Sequence, residues 1–226
     1  RGGICEHVIV DNWEDLTPLR GSKYVQSNIN NCFKEIKKLL ELDKYVLFTG
    51  TPCQVAGLYA VLGKDYEKLI TVDLLCHGVP SQKLFREYLN EITENKEEEV
   101  ENFEFRNKKS GWHTPFIKFD MNRATTYRDW EDCYIKAFLG NLINRQSCVE
   151  CRFNRLPRQG DFTIGDFWGI DNFNCDLDDN KGLSIILLNS PKSESIIKNI
   201  EYDFQKIKQF SFESVRGLNM IERKSY

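Results

Sequence analysis

The sequence predicts a mixed α/β protein: a parallel β–α–β core, an added antiparallel hairpin, and a C-terminal strand and helix. Three observations predict it. The apolar run Tyr45, Val46, Leu47, Phe48 is followed by a turn, a capped helix and a second apolar run from Leu69 to Leu75. From residue 103 the period falls to two, with Phe103 and Phe105 answered by Phe116 to Phe119 across the turn-forming stretch Asn107 to Gly111. A wholly apolar strand then runs from Leu183 to Leu188, directly before the helix start Ser190-Pro191.

In order along the chain, Val8, Ile9 and Val10 predict a first strand within residues 1–10, and residues 11–27 read as a loop. Asn28 or Asn30 caps a helix whose apolar stripe is Ile29, Cys32, Phe33, Ile36, Leu39 and Leu40. After the strand at 45–48, Gly50 permits the turn. Thr51 is placed to cap a helix, Pro52 suits its first position, and Gln54 completes a capping box. That helix runs to about residue 62. The crossover to the strand at 69–75 is expected to be right-handed, with the two strands parallel. Pro80 and Ser81 open a helix with Leu84, Phe85, Tyr88, Leu89 and Ile92 on one face. The charge-rich run Glu94 to Glu101 reads as a solvated helix end and linker. After the hairpin, a helix is predicted over 131–144, a cysteine-bearing loop over 147–153, a strand and turn over 162–168, and an acidic loop over 172–182. The whole is read as one domain over 1–226, with a core at 20–100 and a C-terminal part at 101–226.

The chain has 226 residues, 41% hydrophobic and 29% charged, with a formal net charge of −3. That charge gives no reason to propose nucleic acid as a partner. No apolar run approaches the length of a membrane span. Eight cysteines in a chain with apolar runs of this size favour metal binding in a reducing compartment, hence a cytoplasmic protein.

The cysteines divide by context. Cys53 falls in the first turn of the capped helix, where the helix dipole favours a thiolate. Cys76 follows the second strand of the same β–α–β unit. The carboxyl ends of neighbouring strands lie about 5 Å apart, and ligands of open α/β sheets collect at that edge. Cys148 and Cys151 form a Cys-x-x-Cys pair whose spacing lets both sulfurs face one centre. Four sulfurs suit a tetrahedral zinc or a [4Fe–4S] cluster, and spacing leaves both open. Cys32 lies on an apolar stripe and reads as core filler; Cys5, Cys133 and Cys175 lie in no motif.

Five segments in order, Arg20 to Ser27, Phe48 to Gln54, Asp73 to Ser81, Ser147 to Cys151 and Gly160 to Gly169, resemble the β-subunit family of coenzyme F420 hydrogenases and dehydrogenases, in a bacterial form. The resemblance spans roughly residues 1–190. It implies an iron–sulfur flavoprotein that passes electrons between a [4Fe–4S] cluster, FAD and a deazaflavin such as coenzyme F420 or another carrier. It implies that Cys53, Cys76, Cys148 and Cys151 hold the cluster. A redox partner protein or ferredoxin is the implied partner. The N-terminal ferredoxin-like segment of many relatives, with two Cys-x-x-Cys-x-x-Cys runs, is expected to be absent here.

Ser22, Lys23 and Tyr24 sit in a glycine-led turn that cradles an anion or merely precedes a helix; the resemblance tips the reading to flavin contact. Thr49, Gly50 and Thr51 precede a helix N-terminus and either hold a phosphate or shape the loop around Cys53. His77 is a candidate to tune the cluster, against a structural role. Asp161 and Asp166 are candidates for ribose or flavin contact, against bonding to backbone turns. No Ser–His–Asp set, Walker loop or Gly-x-Gly-x-x-Gly is readable, so hydrolysis, phosphoryl transfer and a Rossmann nicotinamide site lack support, and no catalytic residue is nominated. The alternative from another class is a zinc-stabilised four-cysteine interaction module without catalysis.

Overall fold

The computed structural model describes residues 3–93, 100–121, 124–173, 177–204 and 206–215. The chain divides into two units, each built from two segments: Arg1–Cys32 with Gly78–Val149, and Phe33–His77 with Glu150–Tyr226. The chain therefore crosses between units three times.

The second unit holds a four-stranded sheet of order β1-β2-β6-β7. Strands β1 (Val46–Thr49), β2 (Leu69–Leu74) and β6 (Phe162–Asp166) are parallel; β7 (Ser184–Leu188) runs antiparallel to β6. The mixed α/β class follows. Helix α1 (Cys32–Glu41) starts at the unit boundary, after Ile29, and buries Cys32, Ile36 and Leu40 of the six-residue stripe read from the sequence. The Phe33 ring meets Phe48 edge-on at 5.7 Å. Helix α2 (Pro52–Leu62) is the β1–β2 crossover and buries Val55, Leu58 and Leu62. Truncating a buried ring such as Phe48 to alanine costs about 3–5 kcal/mol. Register puts Phe48, Thr71, Asp73 and Thr163 on one sheet face. The other face carries Leu47, Val72, Leu74 and Ile164, of which Leu47 and Leu74 are exposed. Helix α6 (Pro191–Ile200) begins at Ser190 as expected. Near the described C-terminal end, the short helix α7 (Phe212–Val215) packs Val215 with Phe167, Ile170 and Ile185.

The first unit is a three-stranded antiparallel sheet of β3 (Val100–Asn107), β4 (Phe116–Met121) and β5 (Ala124–Arg128). Helices α3 (Gln82–Ile92) and α4 (Cys133–Leu139) supply Phe85, Tyr88, Tyr134 and Ile135 to an aromatic core with Phe105 and Phe119. Ser81 caps α3 through its side chain, which accepts from Leu84 N–H.

Three expectations are corrected. Val8, Ile9 and Val10 form no strand; that segment makes one isolated bridge, Glu6 to Asn28, and Val8 and Ile9 stay exposed. The helix expected over 131–144 stops at Leu139, because Gly140 ends it and Asn141 turns left-handed at φ +60°. The cysteine loop at 147–153 begins as a helical turn, α5 (Gln146–Val149). Strand β5 has no counterpart in the sequence reading: Ala124 to Arg128 carries no apolar alternation, and its pairing with β4 makes it a strand. Most of the run Glu94 to Glu101 lies outside the described residues, as does Cys175. No described helix is long and apolar enough to cross a membrane.

Candidate functional site

The second unit's sheet ends where the sequence placed its cysteines. Strand β1 stops at Thr49, and Cys53 follows in the first turn of α2. Gln54 Oε1 accepts from the Thr51 backbone N–H at 2.9 Å and from the Thr51 hydroxyl at 3.0 Å, so the capping box forms. Thr51 Oγ1 also lies 3.2 Å from Cys53 Sγ. Gly50 donates its N–H to Val72 O, and a Cβ there would stand 3.1 Å from the Phe48 ring and 3.2 Å from Gln54. A side chain at Gly50 would therefore press on both Phe48 and the capping Gln54. The Gly50 N–H is thus spent on the sheet and the Thr51 N–H on the cap, and Pro52 has none.

Strand β2 stops at Leu74, two residues before Cys76. Around it lies a buried polar network that no motif announced. Asp73 Oδ1 pairs with Arg158 at 2.9 Å, with both side chains fully buried. Asp73 Oδ2 accepts the backbone N–H groups of Gln159 and Gly160, each at 3.0 Å. Arg158 donates further to Leu74 O at 2.7 Å, Asn154 Oδ1 at 2.7 Å and Thr163 Oγ1 at 3.2 Å. Asn154 Nδ2 in turn donates to Cys76 O at 2.7 Å. The guanidinium fork is met by several acceptors, as a buried charge requires. One signal was readable: a carboxylate inside the apolar run Leu69 to Leu75 demands a cationic partner. The partner's position, 85 residues on, was not.

This network ties the segment after Cys151 to the edge after which Cys53 and Cys76 lie. Cys151 precedes Asn154 by three residues, about 10 Å of chain at most. Cys53, Cys76 and Cys151 belong to the second unit, whereas Cys148 belongs to the first, at the end of α5. Cys53 is exposed, the other three are half-buried, and no disulfide joins the seven described cysteines. Among the described residues, no three His, Cys, Asp or Glu side chains are gathered as a single metal ion would require. Cysteine thiolates are the ligand type that zinc and iron–sulfur centres use. Burial raises the pKa of the Cys5 and Cys32 thiols.

Of the residues nominated for flavin, Lys23, Tyr24 and Asp161 make contacts within the fold. Lys23 Nζ donates to the carbonyls of Leu19, Arg20 and Gly21 at 3.2, 2.8 and 3.2 Å, closing its own turn. The Tyr24 ring stacks on Phe138 at 4.8 Å, and Ser22 is exposed. Asp161 is buried: Oδ2 accepts from Thr71 N–H and Thr71 hydroxyl, both at 2.9 Å, and Oδ1 from Ser190 at 2.8 Å. Asp166 ends β6 opposite Ser184; His77 and Asp166 are half-buried, and Thr49 is exposed. An open depression of about 620 Å³ is lined by Tyr59, Lys64, Gln159, Asp161, Asn189 and others. It lies by the end of α2 and the start of β6, the sheet edge opposite Cys53, and of the nominated residues only Asp161 lines it.

The family model for the C terminus of the beta subunit of coenzyme F420 hydrogenase/dehydrogenase matches residues 43–211. Among solved structures, a chain of the F420-reducing [NiFe] hydrogenase complex from Methanosarcina barkeri is similar at a TM-score of 0.53 and 16% identity. The likeness covers 90% of this chain and 64% of that one, and at this identity it is a likeness of fold. No curated protein sequence matches the chain.

Proposed function

Because the chain belongs to the family defined by the C terminus of the coenzyme F420 hydrogenase/dehydrogenase β subunit, we propose that it transfers electrons within an oxidoreductase through a [4Fe–4S] cluster held by Cys53, Cys76, Cys148 and Cys151. The observation that carries the reading is the Asn154 bond to Cys76 O, which anchors the Cys151 segment beside β2's carboxyl end. Cys53 follows the neighbouring strand at the same edge. Cys148 precedes Cys151 by three residues in the chain.

A bound cluster supplies one-electron oxidation and reduction, at a potential set by burial and by hydrogen bonds to its sulfurs. The chain's own residues prepare Cys53 for ligation. The Thr51 hydroxyl has one hydrogen, which Gln54 Oε1 accepts; its lone pair therefore faces the Cys53 thiol and accepts from it. Once that thiol has lost its proton, the hydroxyl can turn and donate to sulfur, while the Thr51 N–H keeps Gln54 in place. FAD, and coenzyme F420 or another small carrier, enter the proposal as electron partners of the cluster on family membership; a ferredoxin or other redox protein is the macromolecular partner.

Anaerobic reconstitution with iron, sulfide and FAD tests this, read by visible spectra, iron and sulfide content, and a screen of F420, nicotinamide and ferredoxin as acceptors. A brown protein that dithionite bleaches is expected. Cys53→Ala should abolish cluster uptake and Cys32→Ala should leave it intact. A colourless protein with stoichiometric zinc overturns the reading in favour of a zinc-stabilised interaction module.

A further inference from the structure

The Asp73–Arg158–Asn154 network reaches beyond the fold to the thiols. Arg158 is immobilised by Asp73, Leu74 O and Thr163, all on the β2–β6 ladder. It holds Asn154 through the amide oxygen, which fixes the orientation of the amide. The amide nitrogen must then point at Cys76 O, and it does so at 2.7 Å. One side chain thereby joins the carbonyl of one nominated thiol residue to the segment that leaves another.

We propose that Asn154 is a positioning residue that sets the separation of Cys76 and Cys151, with Arg158 and Asp73 as its fixed base. The inference rests on the proposed thiolate-held centre for its purpose, although its geometry lies wholly within the second unit. Asn154→Asp keeps the acceptor for Arg158 and deletes the donor to Cys76 O. Asn189→Ala is the control: it removes bonds to Gly160 O and Thr163 Oγ1 at the far end of the same network.

The test begins on the full chain without metal. A short bismaleimide links thiol pairs, and peptide mapping reads the rate at which Cys76 and Cys151 are joined. Asn154→Asp should slow that link at least tenfold, while Asn189→Ala leaves the rate within twofold of the parent. Thermal melts of both variants show whether each is folded at the assay temperature. After iron and sulfide loading, Asn154→Asp should shift the cluster's reduction potential and its reduced-state EPR spectrum, and Asn189→Ala should not.

An unchanged linking rate in folded Asn154→Asp overturns the inference, whatever the cluster does. A slowed rate in both variants also overturns it, since Asn154 would then act only through stability. If the parent takes up no cluster while Asn154→Asp alone slows the link, the cluster reading fails and the positioning role stands.

Discussion

Asp73 sits one residue from the end of the mostly apolar strand β2, and its carboxylate takes three protein hydrogen bonds. Removing the cation while leaving the carboxylate buried strands a charge in the core. Arg158→Met should therefore cost about 3–5 kcal/mol, read as a lowered urea midpoint. Gly160 is constrained differently. A Cβ there would stand 2.8 Å from both Asp73 N and Phe162 O, two backbone atoms that cannot swing aside. Gly160→Ala should lose up to about 3 kcal/mol in the same titration, and a near-neutral result would mean that the 158–161 turn moves away from β2. Cys53, Cys76, Cys148 and Cys151 were nominated at this scale from local spacing. Asn154 and Arg158 were not, because each owes its role to a partner 78 or more residues away.

Elements were legible where the pattern was local. The β1–α2–β2 unit, the β3–β4 hairpin, β6, β7 and the start of α6 stand where periodicity and caps put them. β5 escaped because its residues are polar and its strand character comes from pairing with β4. That pairing has an electrostatic rivet. Asp120 on β4 accepts from Thr125, Lys118 and Asn102, and these bonds hold its pKa at about 2, below the ordinary 3.8. A depressed carboxylate stabilises the fold above its unfolded pKa and loses that contribution as pH falls through the folded value. The stability difference between the parent and Asp120→Asn should accordingly be full at neutral pH. It should shrink as pH falls through 3.8 towards 2 and be lost below the folded pKa, as followed by urea unfolding across that range.

Across the whole molecule, two units share one interleaved chain, and the sequence offered no sign of this because each unit is assembled from distant segments. Three of the four proposed ligands belong to the second unit. Loading with iron and sulfide should therefore slow amide exchange in β1, β2 and β6 more than in β3, β4 and β5, since a ligand stabilises the structure that binds it and the first unit supplies one of the four thiols. Equal slowing in both sheets, or none, would contradict that assignment. The Gly160-Asp161 pair carries a different lesson, about transferring function between genomes. Its glycine answers to a backbone that leaves no room for a Cβ, and its aspartate answers to Thr71 and Ser190. Neither requirement involves a thiol. Both residues answer to the fold alone, so a search pattern centred on them would recover scaffolds, whereas one centred on the cysteines would recover chains that keep the proposed ligands.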